Sequence, residues 1–291
     1  MSTSVQPPTP ADEPVLRALA RYHYLTAEQI RRLLYGPGVI TYARARLKAL
    51  VDAKLVQRLE MPHPSRTGSA PNVFRLATRG YRFLEELGQH PMRLPGERPY
   101  SYLYWRHTLA LNDLLIAGEL LTRGHPQFSL VRLLHERDLK RQPAAVRLPD
   151  GSRVGVVPDA YLQLREADAA GSWQYDLVVE LDMGTTEQRA WRRKIQALLA
   201  YADGPYRKAL GADSLTIAVL SPLGGERAAE LAAWTEAALA AAGQAVADRG
   251  FRIAGLDPAT TAPDKLYLAS VWRRPFRPER VSLLHGTEGV A

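Results

Sequence analysis

Cysteine is absent from the 291 residues, which excludes disulfides, thiolate metal sites and thiol catalysis and suits a reducing compartment. Any metal would have to be held by oxygen or imidazole. Also missing is an apolar run long enough to cross a bilayer. The first ten residues, MSTSVQPPTP, have neither the basic start nor the apolar stretch of a signal peptide. The expectation is a soluble cytoplasmic protein with no membrane partner. No repeat of fixed period and no long low-complexity tract is visible, although the alanine runs near residues 227–242 are mildly biased.

What is there suffices for two cores: 46% of the residues are hydrophobic, and the length exceeds that of one ordinary domain. The net charge of +8 is uneven. Residues 1–99 carry 15 Lys+Arg against 8 Asp+Glu, whereas residues 100–291 carry 23 against 22. A polyanion-binding surface is therefore expected in the leading part. Arginine outnumbers lysine and alanine is abundant, a bias that a GC-rich genome also produces.

After a Pro-rich stretch, PVLRALARY sets Val15, Leu16, Leu19 and Ala20 on one helix face. In TAEQIRRLLYG, Thr26 and Gln29 have capping-box spacing, and Gly36-Pro37-Gly38 stops the helix. ITYARARLKALVDAKLV puts Ile40, Ala43, Leu47, Leu50 and Val51 in one stripe. Thr41, Tyr42, Arg46 and Lys48 then face away, with Arg44 at the flank. Leu55–Leu59 and Val73–Leu76 read as strands joined by the polar segment MPHPSRTGSAPN, with a last helix over 77–88. Three helices and a hairpin with a basic tip make a winged helix. The chain divides as a tail at 1–10, this unit at 11–90, a linker at 91–99 and a second domain at 100–291.

In such a unit the last helix of the pair enters the major groove, where arginine forks meet guanine edges and other cations meet phosphates. Thr41, Tyr42, Arg44, Arg46 and Lys48 are the candidates, with Arg66 on the wing and Arg75 on its second strand. The same charges would equally solvate an amphipathic helix, and winged helices also dock proteins. Duplex DNA is the partner expected, with a homodimer the common arrangement although no dimerisation element stands out.

The second half alternates: helix Tyr102–Thr122, strands Ser129–Leu134, Arg153–Leu164 and Tyr175–Asp182, helix Thr186–Ala202, strand SLTIAVL and helix Glu226–Ala242. Short strands and loop follow from Phe251. This is an α/β sandwich with a mixed sheet covered on both faces. GVVPDAYLQL places Asp159 in one strand and YDLVVELDMG places Glu180 and Asp182 in the next, on one face by the period of two. Such acids repel one another unless a cation or proton intervenes, and hard oxygen ligands suit Mg²⁺ or Mn²⁺. Acids at strand ends also cap helices or pair with arginine. Glu136 in LLHERDL is a fourth candidate. Arg189, Arg192, Arg193 and Lys194 form a basic edge on the following helix. His107 on an apolar helix is more often a core residue than a general base.

PD in one strand, ExD in the next and a helix after it resemble the PD-(D/E)xK nuclease superfamily. With the winged helix in front, the run HTLALNDLLIAGELL, HE, PDAYLQL, VVELDMGTTEQ and the helix carrying Lys194 and Tyr201 resembles the replication-relaxation family of plasmid and mobile-element proteins. The resemblance implies a restriction-endonuclease-like second domain and a DNA-binding protein of replication or transfer. In it, Asp159 and Glu180 match metal-binding acids, and Glu136 matches an acid from the first helix or strand. The usual lysine two residues after the second acid is replaced by Asp182, so Lys194 becomes the candidate for its role. The implied alternatives are a binder whose chemistry is lost, a Mg²⁺- or Mn²⁺-dependent endonuclease or nickase, and an antitoxin-type transcriptional regulator.

Overall fold

The computed structural model describes residues 12–62, 71–93, 100–169, 171–244 and 250–284. The expected tail, Arg66 and part of the 91–99 stretch lie outside them. The chain divides into two compact units, Met1–Ile116 and Ala117–Ala291. Among the described residues no helix is long and apolar enough to cross a membrane.

In the leading unit, α1 (Glu13–Tyr22) buries Val15, Leu16 and Leu19 of the expected stripe, with Ala18 and Tyr22 buried in addition and Ala20 only half-buried. β1 (Leu25–Thr26) leads into α2 (Ala27–Ile30), whose capping box forms as the spacing requires. Gln29 N donates to Thr26 Oγ1 at 3.1 Å and Thr26 N to Gln29 Oε1 at 3.0 Å. A π-type turn over Arg31–Tyr35 continues it and ends at Gly36, whose φ of 81° favours glycine. Then come α3 (Ile40–Asp52), β2 (Val56–Glu60), β3 (Asn72–Leu76) and α4 (Thr78–Glu86). β3 lies between β1 and β2 in an antiparallel sheet, with Val56 opposite Leu76 and Glu60 opposite Asn72.

The division between units falls inside α5 (Tyr102–Gly124) rather than at residues 91–99. Polar groups account for this, since they tie the first half of α5 to the leading unit. Gln29 Nε2 donates to Leu109 O at 2.8 Å, Asn112 Nδ2 to Tyr24 O at 2.6 Å, and Arg32 pairs with Asp113 at 2.7 Å. Each is buried or nearly so, where an unpaired polar group is costly.

The trailing unit continues with β4 (Phe128–His135), α6 (Glu136–Leu139), β5 (Ala144–Arg147), β6 (Arg153–Val156), β7 (Ala160–Asp168) and β8 (Gly171–Leu181). After these come α7 (Gln188–Ala202), α8 (Pro205–Leu210), β9 (Thr216–Leu220), α9 (Gly225–Ala241), β10 (Phe251–Ala254), α10 (Pro263–Tyr267), β11 (Trp272–Arg273) and β12 (Arg280–Val281). The main sheet has seven strands in the order β12-β11-β10-β9-β8-β7-β4. It is mixed: β4, β7 and β8 form an antiparallel meander, and β9 and β10 add in parallel. The fold class is the mixed α/β arrangement the sequence predicts.

One strand needs correction. Arg153–Leu164 is not continuous, because Val157-Pro158-Asp159 separates β6 from β7. Proline has no N–H to give a ladder. β6 instead pairs with β5 as a separate hairpin, whose Val146 and Val156 join Trp191 and Ile195 of α7 in one core cluster. On one face of the main sheet Tyr161, Val178, Ile217, Val219 and Phe251 meet α7 and α9. On the other face the last turns of α5 come so close that a Cβ on Gly118 would lie 2.9 Å from the Tyr267 hydroxyl and 3.0 Å from Leu162 Cδ2.

Candidate functional site

Period-two alternation puts Asp176, Val178, Glu180 and Asp182 on the sheet face covered by α7 and α9. Asp159 just precedes β7, and Ala160 pairs with Val179, so Asp159 stands across from Glu180. It is held there by two bonds: its N–H donates to Val179 O at 3.1 Å, and its Oδ2 accepts the Leu181 N–H at 2.8 Å. Glu180 is 1% exposed, and α7 brings Lys194 onto it as an ion pair. Burial opposes the charge on Lys194, but Glu180, Asp159 and Asp182 override it and hold the ammonium pKa well above its usual value. At neutral pH Lys194 is therefore a cation. It can offset negative charge and cannot accept a proton.

Asp182 shares the face but not the cluster's bonding. Its carboxylate is clasped by Arg227 of α9, Nε to Oδ2 at 2.7 Å and Nη2 to Oδ1 at 3.2 Å, and it also accepts the Gly184 N–H at 3.0 Å. Burial alone would raise its pKa, yet these donors hold it below the usual carboxylate range. Arg227 in turn donates to Thr186 O at 2.7 Å, pairs with Glu230 and lies 4.9 Å from the Trp234 ring centre. Glu136 opens α6 and pairs with Lys140 one turn on; the acids acting on Lys194 do not include it.

The expected four-acid metal cluster therefore does not assemble. Among the described residues no three carboxylate or imidazole groups are arranged to hold a metal ion. Two carboxylates, Asp159 and Glu180, do lie together. Both act on the Lys194 ammonium. His107 lies half-buried on the leading-unit part of α5.

On α3, Thr41, Tyr42, Arg44 and Lys48 are exposed, with Lys48 paired to Asp52 at 2.7 Å. Tyr42 meets Tyr35 edge-on at 5.1 Å. Arg46 does not face away as the helical wheel suggested. It turns in to pair with Asp12, which is 5% exposed at the start of α1, and Arg44 takes the outward position. Arg75 is half-buried and donates to Gln57 Oε1 at 2.8 Å. A groove between α3 and the β2–β3 hairpin is lined by Arg44, Lys48, Lys54 and Arg58, with Glu28 and Asp52 as its acids.

A family model described as replication-relaxation matches residues 16–212. The chain belongs to the replication-relaxation family. No curated protein and no solved structure matches it. The matched span of this family member contains α3, the hairpin, Asp159, Glu180 and Lys194, and it stops before Arg227.

Sequence reasoning passed over Arg227, because a partner 45 residues from Asp182 leaves no local pattern. It also missed Lys54 and Arg58, which belong to the turn and strand after α3 and join its surface only through the hairpin. Asp176 was overlooked too. It is a buried acid satisfied by neutral donors, accepting from Tyr161 Oη at 2.5 Å, Gln163 Nε2 at 2.8 Å and Ser214 Oγ at 3.2 Å. The alternation of β8 was the signal that could have found it.

Proposed function

We propose that this replication-relaxation protein binds duplex DNA through α3 and the adjoining hairpin, a winged-helix mode of contact, and acts in the replication or transfer of a plasmid or mobile element. The observation that carries the reading is the groove beside α3, where Arg44, Lys48, Lys54 and Arg58 line one wall-and-floor surface of the unit with the higher net charge. Arg44 is the residue suited to a base edge, and the lysines suit phosphates. A chain whose Arg44 is replaced by alanine should bind its specific site more weakly by about 1–3 kcal/mol, with a smaller loss on arbitrary duplex. Equal affinity of both proteins for every DNA in a binding selection would remove the groove from consideration.

The trailing unit is read as a nuclease-like fold retained for holding DNA or for assembly, since Asp182 occupies the usual lysine position and is bound to Arg227. A second reading, a metal-dependent nickase, is favoured by one observation: Asp159, Glu180 and Lys194 lie together. Asp159 and Glu180 would be the residues to hold Mg²⁺ or Mn²⁺, which would supply activated water and charge stabilisation. Supercoiled plasmid incubated with either ion separates the two readings. Nicking that Glu180→Ala abolishes selects the enzyme, and intact plasmid with retained binding selects the binder.

A further inference from the structure

The outer side of α7 and the β5–β6 hairpin carries cations that the chemistry around Glu180 does not use. Arg189, Arg192 and Arg193 recur at helical spacing on the exposed face of α7, opposite the buried Trp191, Ile195 and Leu198. On the hairpin, Arg147 stands directly across from Arg153 and both are exposed. Like charges facing each other across an antiparallel pair are destabilising. Among the described residues neither has an ion-pair or side-chain hydrogen-bond partner, and neither do Arg189 and Arg192. Arg193 joins the two elements: it pairs with Asp150 at 3.3 Å and donates to Ser152 Oγ at 3.2 Å, both in the hairpin turn next to Arg153.

We infer that this surface is a second nucleic-acid contact, gripping the sugar-phosphate backbone without reading bases. The inference rests on the DNA-binding reading and extends it to the trailing unit. Its side chains decide the partner class. Around the α7 arginines lie Ala190, Gln196 and one acid, Glu187, and the exposed large apolar side chains of the unit, among them Val131, Trp173 and Phe276, are elsewhere in the sequence. A protein-docking face has an apolar or aromatic centre depleted in charge, whereas a phosphate backbone asks only for cations and suits guanidinium forks. Uncompensated Arg147 and Arg153 are the groups that gain most, because a phosphate relieves the repulsion between them.

The test uses the full chain and a short labelled duplex of arbitrary sequence, with affinity read by fluorescence anisotropy over a series of salt concentrations. One variant carries Arg147→Gln, Arg153→Gln, Arg189→Gln and Arg192→Gln; another carries Arg44→Gln, Lys48→Gln, Lys54→Gln and Arg58→Gln. The first should bind about tenfold more weakly at moderate salt. The slope of log affinity against log salt should flatten by about 0.9 for each phosphate that the variant no longer neutralises. Unchanged affinity and slope in the first variant with loss in the second overturns the inference and leaves the α3 reading intact. Loss in the first with none in the second upholds the inference and overturns the α3 reading. No binding by the parent protein at any salt overturns both. A two-site variant, Arg189→Gln with Arg192→Gln, gives about half the slope change and should keep the parent thermal melt; a parent-like slope in this variant counts against the inference.

Discussion

Replacing Arg227 with methionine isolates the ion pair that holds the buried Asp182 carboxylate. The Arg227 side chain is 14% exposed and the Asp182 side chain 0%, so the substitution leaves a buried carboxylate without its cation. Breaking a buried pair from one side costs about 3–5 kcal/mol. The Thr186 carbonyl also loses its guanidinium donor, while the partly exposed Glu230 contact adds little. For a domain of this size each kcal/mol lowers the melting temperature by about 2–4 °C. The melting transition of the trailing unit should therefore fall by roughly 6–20 °C. Adding Asp182→Leu removes the stranded charge and should recover most of the loss, since an apolar pair is often neutral against a buried ion pair. Calorimetry of the four proteins in this cycle tests the argument. A loss under about 1 kcal/mol for Arg227→Met, or a double variant as unstable as the sum of the singles, would refute it.

The same pair makes an acid-limb prediction. The folded pKa of Asp182 is depressed, so its stabilisation is complete above the unfolded carboxylate range and disappears as pH falls through the lower folded value; Asp182→Asn should flatten that part of the stability curve in acid titration of the melt. Arg46→Ala should destabilise the leading unit by about 1–3 kcal/mol, measured by denaturant unfolding, because it takes the guanidinium away from the buried Asp12 carboxylate. Gly118→Ala should cost about 1–3 kcal/mol, as the new methyl meets a fixed Tyr267 and Leu162; a melt equal to the parent's would mean that the close approach is relieved at no cost.

The alternation of β8 made the shared face of Glu180 and Asp182 legible, whereas Asp159, expected inside a strand, lies just before β7 and across from Glu180 alone. Thr26 and Gln29 gave the start of α2 for a local reason, a reciprocal bond spanning three residues. Long-range polar partners were not legible. A helical wheel reports the angle of Arg46 and says nothing of Asp12, 34 residues earlier, and the run of acids around residue 180 says nothing of which cation each will meet. Pro158 was in plain view in GVVPDAYLQL, yet the apolar residues on both sides masked the break it makes.

The matched family span ends at residue 212, before β9 begins, and β9 sits between β8 and β10 in the main sheet. Trimming the protein to that span would bare the backbone N–H and C=O groups of Leu177–Leu181 along one side, a row of adhesive sites for any other extended chain. It would also delete Arg227, stranding a carboxylate inside the trimmed product. The shortened polypeptide should accumulate as insoluble material, whereas one that keeps β9 to β12 and the buried Leu283 and Leu284 should stay in solution. Expression work on relatives would do well to keep the segment that the family signature omits.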